Sequence, residues 1–330
     1  MTSAPSANID EREVSSWLNQ QGLAAKSLTT LPGDVSRRRY LRVELDDDEV
    51  IVAIYPPEIR LSCRNFVDTT QLLSAAGVRV PQVMVSDCER GLMVLEDVGS
   101  KTLYQQRAID WSTLIPHFWQ ATADLERIRS LPANKVGRLN PPLDAELLWR
   151  ELEQTWKVLF EPWGIVTEQT FSDALRSGLR QLCVHLGADL PVPCHRDFMA
   201  RNLVPVAPYP VLAVLDHQDL RLGPRHYDLA SLLNDSLFPT AELEEEILSR
   251  CIDEPGEQRI MYHRAAAQRT LKATGTYENF AQRGVERHRV LIPTTLKRSL
   301  QHLRELPEVV VLCDELEQRL LPLLAAADGE

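Results

Sequence analysis

The sequence predicts an α+β fold with two lobes: a small, β-rich N-lobe over residues 1–98 and a large, mainly helical C-lobe over residues 99–330. Before residue 98, short runs of alternating or β-branched residues are separated by turn signals, which is typical of strands. After residue 99, Leu and Trp recur at steps of three and four residues over long segments, which is typical of amphipathic helices. A chain of 330 residues with 44% hydrophobic side chains is large enough to form both cores.

Local patterns define the elements of the N-lobe. Val14, Trp17 and Leu18 share one face of a short helix, the acidic run 46–48 is a turn between two strands, and Gly77 closes a second helix. In chain order the predicted elements are a helix over 10–21, a hairpin over 40–45 and 50–55, a helix over 66–76, and extended segments over 78–85 and 91–95.

The C-lobe is predicted from three long helical patterns, a loop-rich stretch and further helices. The long patterns cover 111–128, 144–160 and 168–186, the loop-rich stretch covers 191–227, and helices resume at Asp228. A cleft between two lobes is a common place for a ligand, so we expect the functional residues to face one.

Composition excludes several classes of protein. The net charge of -11 argues against nucleic-acid binding and against docking on an anionic membrane. The N-terminus lacks the basic start and apolar run of a secretory signal, and no apolar run is long enough for a membrane span. The six cysteines are scattered, so we expect neither a zinc site nor a disulfide framework. The sequence thus predicts a soluble cytoplasmic protein.

The most informative motif joins His195, Arg196 and Asp197 to Asn202, five residues beyond the aspartate. Further along, an apolar run over 211–215 is followed directly by Asp216. Phosphoryl transfer needs a positioned hydroxyl, a bound metal and neutralised phosphate charge. A carboxylate suits the proton acceptor, and a second carboxylate with an amide oxygen suits Mg²⁺. The spacing is a known kinase pattern, so these roles rest on resemblance.

Residues 195–235 resemble the aminoglycoside phosphotransferase and choline kinase superfamily, whose members have a two-lobed protein-kinase-like fold. The Gly223-Pro224 pair followed by Asp228-Leu229-Ala230 extends the resemblance. It implies an ATP-dependent kinase of a small molecule that uses ATP and Mg²⁺. The roles it implies are catalysis at Asp197, His195 and Arg201, metal binding at Asn202 and Asp216, and structural support of the catalytic loop at Asp228.

The N-terminal half resembles the nucleotide-binding parts of the same superfamily. The segment 33–40 is similar to the turn that covers the phosphates, and 95–99 is similar to the hinge that holds adenine through backbone groups. The implied nucleotide contacts are Gly33, Asp34, Ser36, Arg38, Glu96 and Val98. One family feature is missing: the strand over 51–55 has no Lys for the phosphates. One of Arg37, Arg38 and Arg39 is a candidate replacement, because guanidinium binds phosphate oxygens in bidentate fashion.

A narrower resemblance is to the bacterial kinases that phosphorylate the anomeric hydroxyl of N-acetylmuramate and N-acetylglucosamine in cell-wall recycling. It rests on the segments 33–40, 195–202, 215–219 and 268–272. It implies an amino sugar as the acceptor, with Asp219 and Arg269 as candidate substrate residues. His217 stands where that subfamily has an aromatic ring, and we interpret it as a packing residue.

Two alternatives stay open at this point. An acidic run at Glu242 and 244–246 would suit a cationic acceptor, such as an aminoglycoside, choline or another amino alcohol. The missing strand Lys would suit a nucleotide-binding pseudokinase with a regulatory role. The presence of Asp197, Asn202 and Asp216 argues against the second alternative, because inactive kinases usually lose one of these residues.

Overall fold

The computed structural model describes residues 9–31, 38–46, 48–252 and 256–325. The predicted phosphate-contact residues Gly33, Asp34 and Ser36, and also Arg37, lie outside these ranges. The described residues form two compact units. Those up to 101, together with 204–219, form the first unit, and 102–203 with the residues from 220 onward form the second.

The first unit contains a five-stranded antiparallel sheet in the order β1-β2-β3-β5-β4. The predicted hairpin is β2 and β3, paired from Arg39 opposite Ile54 to Glu44 opposite Glu49. The elements are α1 (Glu11–Gln20), β1 (Ser27–Thr30), β2 (Arg39–Glu44), β3 (Glu49–Ile54), α2 (Arg60–Ala75), β4 (Val83–Asp87) and β5 (Leu92–Glu96).

The central strands are buried on both faces, and one helix packs on each face. Alternate residues of a strand point to opposite faces, so Leu92 and Val94 of β5 join one cluster and Met93 and Leu95 the other. The first cluster includes α1 through Val14, Trp17 and Leu18, and the second includes α2 through Cys63 and Phe66. Burial of each large apolar side chain stabilises the folded state by about 1.5–3 kcal/mol relative to leaving it exposed.

One disulfide bond corrects the expectation drawn from the cysteines. Cys63 on α2 is bonded to Cys88, which follows β4, and their Cα atoms are 5.6 Å apart. This pairing has no local signal in the sequence, because the two residues are 25 positions apart and meet only when α2 packs on the sheet. The four other cysteines form no disulfide bond within the described residues.

The first unit is made of two separate stretches of the chain, whereas the predicted lobes were the continuous ranges 1–98 and 99–330. The first unit continues to residue 101 and also includes residues 204–219, which the sequence placed in the C-lobe. These residues contain most of β7 (Leu203–Pro205) and all of β8 (Leu212–Val214), which pair with each other. The Val214 N–H also donates to the carbonyl oxygen of Arg79, 2.8 Å away, which ties β8 to the first unit.

The second unit is mainly helical. Its helices are α3 (Trp111–Arg129), α4 (Ala133–Val136), α5 (Ala145–Thr155), α6 (Gln169–Gly187), α7 (Tyr227–Leu233), α8 (Ala241–Cys251), α9 (Glu257–Gln282), α10 (Ile292–Leu303) and α11 (Cys313–Ala325). Two short strands, β6 (Val192–Cys194) and β9 (Arg221–Gly223), pair antiparallel. None of the helices in the described ranges has the length and apolarity needed to cross a membrane.

Helix α9 is the centre of this unit and contacts α5, α7 and α10. Its Gly275 allows a close approach to α5, because a Cβ atom there would lie 2.2 Å from the hydroxyl oxygen of Thr155. The Thr155 hydroxyl donates to the carbonyl oxygen of Leu271, 3.0 Å away. The approach of these two helices places residues 268–272 of α9 beside α5.

A buried polar network joins α7 to α8, α9 and α10. Asn234, at the end of α7, accepts from Arg298 and from His302 through its amide oxygen, at 2.6 and 2.8 Å. Its amide nitrogen donates to the hydroxyl of Tyr262, which in turn donates to Glu244. A buried polar network stabilises one packing arrangement only when its members are paired, as these are.

Candidate active site

The loop that carries Asp197 follows β6 and is shaped by Asp228, the second residue of α7. The Asp228 carboxylate accepts the backbone N–H groups of His195 and Arg196 at 2.6 and 2.8 Å, and the thiol of Cys194 at 3.2 Å. Arg196 has φ 79°, a left-handed conformation that costs a residue with a side chain about 1–2 kcal/mol. The hydrogen bonds to Asp228 offset that cost and hold the turn before Asp197.

We expect Asp228→Asn to destabilise the protein by about 2–3 kcal/mol, because an amide nitrogen would then face buried N–H donors. Urea unfolding measures this change. The control is Asp173→Asn on the exposed side of α6, which should change stability by less than about 0.5 kcal/mol. Equal stability of the two variants would contradict the bracing role of Asp228.

The Asp197 carboxylate is held by two cations from one face of α9. Its Oδ1 atom lies 2.9 Å from a guanidinium nitrogen of Arg269 and 3.4 Å from Nζ of Lys272. Burial opposes ionisation, but the charges of Lys272 and Arg269 outweigh it, so the pKa of Asp197 lies well below its usual range. The carboxylate is therefore ionised at neutral pH, and its side chain is 22% exposed.

Asn202 closes the same loop, in a short 3₁₀ turn over Ala200–Asn202. Its side-chain nitrogen donates to the carbonyl oxygen of Asp197, 2.8 Å away. This bond fixes the amide, so the oxygen is the atom that remains to coordinate a hard cation. The side chain thus fits the predicted role of a magnesium ligand.

Lys272 lies between two carboxylates, Asp197 and Glu151. Its Nζ atom is 3.7 Å from Glu151, which also accepts from Arg196 at 2.7 Å and from Gln268 at 3.1 Å. Burial raises the pKa of Glu151, but the charges of Lys272 and Arg196 lower it by more, so the pKa lies below its usual value. Glu151 is a member of this cluster that the sequence analysis did not identify, because an acidic residue within an amphipathic helix carries no distinctive pattern.

Arg269 and Arg201 share a second buried carboxylate, that of Asp235. Arg269 is 3% exposed and lies 3.4 Å from Asp235, and Arg201 lies 3.0 Å from it. Arg201 also donates to the hydroxyl of Tyr277. Arg201 was predicted as a catalytic residue and Arg269 as a candidate substrate residue. In the structure the guanidinium of Arg269 contacts Asp197 directly, and that of Arg201 contacts Asp235 and Tyr277.

The two remaining predicted residues near these motifs have different surroundings. The side chain of His195 is buried, with its ring edge-on to Phe198 at 5.7 Å between centroids. Asp219 ends a 3₁₀ turn over His217–Asp219 in the first unit and is half-buried. His217 itself is buried, 4.2 Å from the Phe66 ring, and hydrogen-bonded to Thr69. His217 is therefore a packing residue in the structure.

In the first unit, Asp216 follows β8 and has φ 59°. Its Oδ1 atom accepts from Arg38 at 2.5 Å and from the amide of Gln218 at 2.9 Å. Arg38 also donates to the Gln218 amide oxygen at 2.8 Å, which closes a ring of three side chains. Burial lowers the pKa of Arg38, but the Asp216 charge outweighs it and the pKa lies above its usual range. Burial also raises the pKa of the neighbouring Tyr40 to about 12.

The predicted hinge residues follow β5. The Glu96 side chain pairs with Arg79, and its backbone N–H donates to the carbonyl oxygen of Gln82. The next residue, Asp97, accepts from Arg42 at 2.5 Å and from the Gly99 N–H at 2.8 Å. Val98 lies within this turn, which is fixed at both ends by side-chain hydrogen bonds.

Within the described ranges, no group of three or more His, Cys, Asp or Glu side chains could hold a metal without other ligands. The candidate ligands Asp216 and Asn202 supply one carboxylate oxygen and one amide oxygen. Mg²⁺ commonly takes one or two protein oxygens and completes its shell with phosphate oxygens and water. Each side chain thus offers one oxygen of the kind that such a metal takes.

The fold is that of the kinase-like phosphotransferases. A choline kinase from Streptococcus pneumoniae superposes with a TM-score of 0.60 at 18% identity, covering 88% of this chain and 99% of that one. An aminoglycoside phosphotransferase solved with ADP bound superposes with a TM-score of 0.63 at 12% identity, covering 93% and 99%. At these identities the likeness shows the two-lobed α+β fold.

The family model of the phosphotransferase enzyme family matches residues 27–270. Among curated relatives, the N-acetylmuramate/N-acetylglucosamine kinase of Pseudomonas putida is 32% identical over 259 residues, 73% of each chain. The protein of the same name from Caulobacter vibrioides is 27% identical over 331 residues, 86% of this chain and 90% of that one. The chain belongs to the phosphotransferase enzyme family and is an ATP-dependent kinase of a small molecule.

Proposed function

We propose that the protein transfers the γ-phosphoryl group of ATP to the anomeric hydroxyl of N-acetylmuramate or N-acetylglucosamine. The observation that carries the proposal is the state of Asp197, a carboxylate paired with both Arg269 and Lys272. A carboxylate of low pKa is a weak proton acceptor. It suits a hemiacetal hydroxyl, which is more acidic than an ordinary alcohol. The names of the curated relatives support the same acceptor.

The proposed step is a single displacement. The anomeric oxygen forms a bond to the γ-phosphorus, the bond from that phosphorus to the bridging oxygen breaks, and ADP leaves. The hydroxyl proton passes to the carboxylate of Asp197, which Arg269 and Lys272 hold in position. Because the transition state is loose, little activation of the hydroxyl is needed and its position matters most.

We propose Asn202 and Asp216 as the ligands of Mg²⁺, which would neutralise phosphate charge when bound. For the nucleotide, the proposed contacts are the hinge backbone at Glu96 and Val98 and the side chain of Arg38. The turn residues Gly33, Asp34 and Ser36 stay predictions of the same kind. For the acceptor, Asp219 stays a candidate contact, while His195 and Arg201 are candidates for support of the catalytic loop.

The acidic run on α8 favours the sugar over a cationic acceptor. Glu244 pairs with Arg298, Glu245 with Arg259, and Glu246 with Arg250. These carboxylates are neutralised by neighbours within the second unit. Residues 244–246 therefore do not offer an unpaired acidic surface of the kind that a polycationic aminoglycoside would need.

The acceptor is tested by turnover of matched sugars with ATP and Mg²⁺. The methyl glycoside of N-acetylglucosamine, in which the anomeric oxygen is blocked, should not be phosphorylated, whereas the 6-O-methyl sugar should be. Phosphorus NMR should show a sugar 1-phosphate whose phosphorus couples to the anomeric proton. A 6-phosphate product, or turnover only with amino alcohols, would contradict the proposal. ATP binding without turnover of any acceptor would favour the pseudokinase alternative.

A further inference from the structure

We infer that Arg38 replaces the missing strand Lys as a phosphate ligand, and that it holds Asp216 until metal and nucleotide arrive together. The inference rests on the proposed role of Asp216 as a metal ligand. Neither the fold nor the family match specifies which positive charge, that of Arg38 or that of the metal ion, lies beside the Asp216 carboxylate before the nucleotide binds.

The guanidinium of Arg38 is bonded to Asp216 and to its near neighbour Gln218. Arg38 directly precedes β2, and its guanidinium is bonded to the same Oδ1 atom of Asp216 that accepts from Gln218. Its other terminal nitrogen donates to Gln218. The two terminal nitrogens of the guanidinium are therefore engaged by Asp216 and its near neighbour. This fork geometry is the one that guanidinium also uses for two phosphate oxygens.

The positive charges of Arg38 and of a metal ion would compete at Asp216. The Arg38 side chain is 11% exposed, while that of Asp216 is 37% exposed, so Asp216 can be approached from solvent while Arg38 stays largely covered. A divalent cation bound at Asp216 Oδ1 would lie close to the guanidinium, and the two positive charges would repel at short range. Metal binding therefore requires Arg38 to leave Asp216 or to find a new anion.

The polyphosphate of a nucleotide would be that anion. A nucleotide brings a polyphosphate to the metal, and its oxygens offer the bidentate partner that the guanidinium loses. Metal alone supplies no such partner, so metal and nucleotide should each strengthen the binding of the other. Such coupling between two ligands is reciprocal and commonly amounts to about 5–150-fold.

The test uses the full chain and measures Mn²⁺ binding by electron paramagnetic resonance, with and without the non-hydrolysable analogue AMP-PNP. We expect Arg38→Met to tighten Mn²⁺ binding to the nucleotide-free protein by about tenfold. The same substitution should weaken AMP-PNP binding at saturating Mn²⁺ by a similar factor. Shifts of opposite sign from one substitution are not expected from a structural role.

The matched control is Arg39→Met, because the Arg39 guanidinium donates to the carbonyl oxygen of Ile9, 3.0 Å away, and not to Asp216. It should leave both affinities within about twofold of wild type. Arg38→Gln, which keeps a polar side chain, should repeat both shifts if Arg38→Met unfolds the protein. Unchanged or weaker Mn²⁺ binding, or unchanged AMP-PNP binding, would overturn the inference. Failure of the wild-type protein to bind Mn²⁺ and AMP-PNP at all would overturn the proposed metal site as well, whereas a different acceptor would affect neither measurement.

Discussion

Replacement of Asp197 by alanine is expected to lower kcat by about 10²–10⁴-fold, the usual contribution of a positioned proton acceptor. The Asp197 carboxylate contacts Arg269 and Lys272, so the substitution removes the proposed proton acceptor and leaves these cations with their other carboxylates, Asp235 and Glu151. Steady-state kinetics with saturating ATP and acceptor measure the effect. KM for ATP should change much less than kcat.

The control for this substitution is Asp173→Ala, which removes a carboxylate from the surface of α6 in the same unit. Its kcat should stay within about twofold of wild type. Full turnover of the Asp197→Ala protein would remove this residue from the reaction, and the role of proton acceptor would have to be assigned elsewhere.

Replacement of Asp216 by asparagine is expected to reduce activity below about a thousandth of wild type. A metal ion stabilises the transferring phosphoryl group by several kcal/mol, and each 1.4 kcal/mol corresponds to about a tenfold change in rate. An asparagine keeps one oxygen that Arg38 and Gln218 can contact, so the fold should persist. Activity is measured across a range of Mg²⁺ concentrations, and thermal unfolding checks the fold.

The companion measurement is made on the wild-type protein. Excess chelator should abolish its turnover, and added Mg²⁺ should restore it. Turnover that survives in excess chelator would contradict the assignment of Asp216 and Asn202 as metal ligands. Asp219→Asn, a change at the last residue of the 3₁₀ turn that begins at His217, should leave the Mg²⁺ dependence unchanged.

The sequence predicted the larger elements because their signals are local. The hairpin of β2 and β3, the helix α3 and the apolar strand before Asp216 were predicted within a few residues of their bounds. Strand β1 was missed, since Ser27–Thr30 is short and mostly exposed and shows no alternating apolar pattern. The disulfide was missed because its two cysteines are brought together only by the packing of α2 on the sheet.

The candidate site was predictable only in part. The motif around Asp197 is short and contiguous, and it could be read directly. The groups that set the charge of Asp197 lie far from it in the chain. Arg269 was predicted as a candidate substrate residue, and Lys272 lies in the segment 268–272 that carried the narrower resemblance, but their contact with Asp197 depends on the packing of α9. Asp235 gave no signal at all, because a single aspartate after a short helix resembles an ordinary cap or turn.

Asn234 and Asp235 are consecutive residues whose side chains have different partners. Asn234 accepts from Arg298 and His302 of α10, and Asp235 pairs with Arg269, which holds Asp197. The position of the Asp197 carboxylate thus depends on how α10 packs. Warming that loosens this packing would therefore displace Asp197 while most of the helical unit is still folded, so activity should decline at a lower temperature than the one at which the protein unfolds.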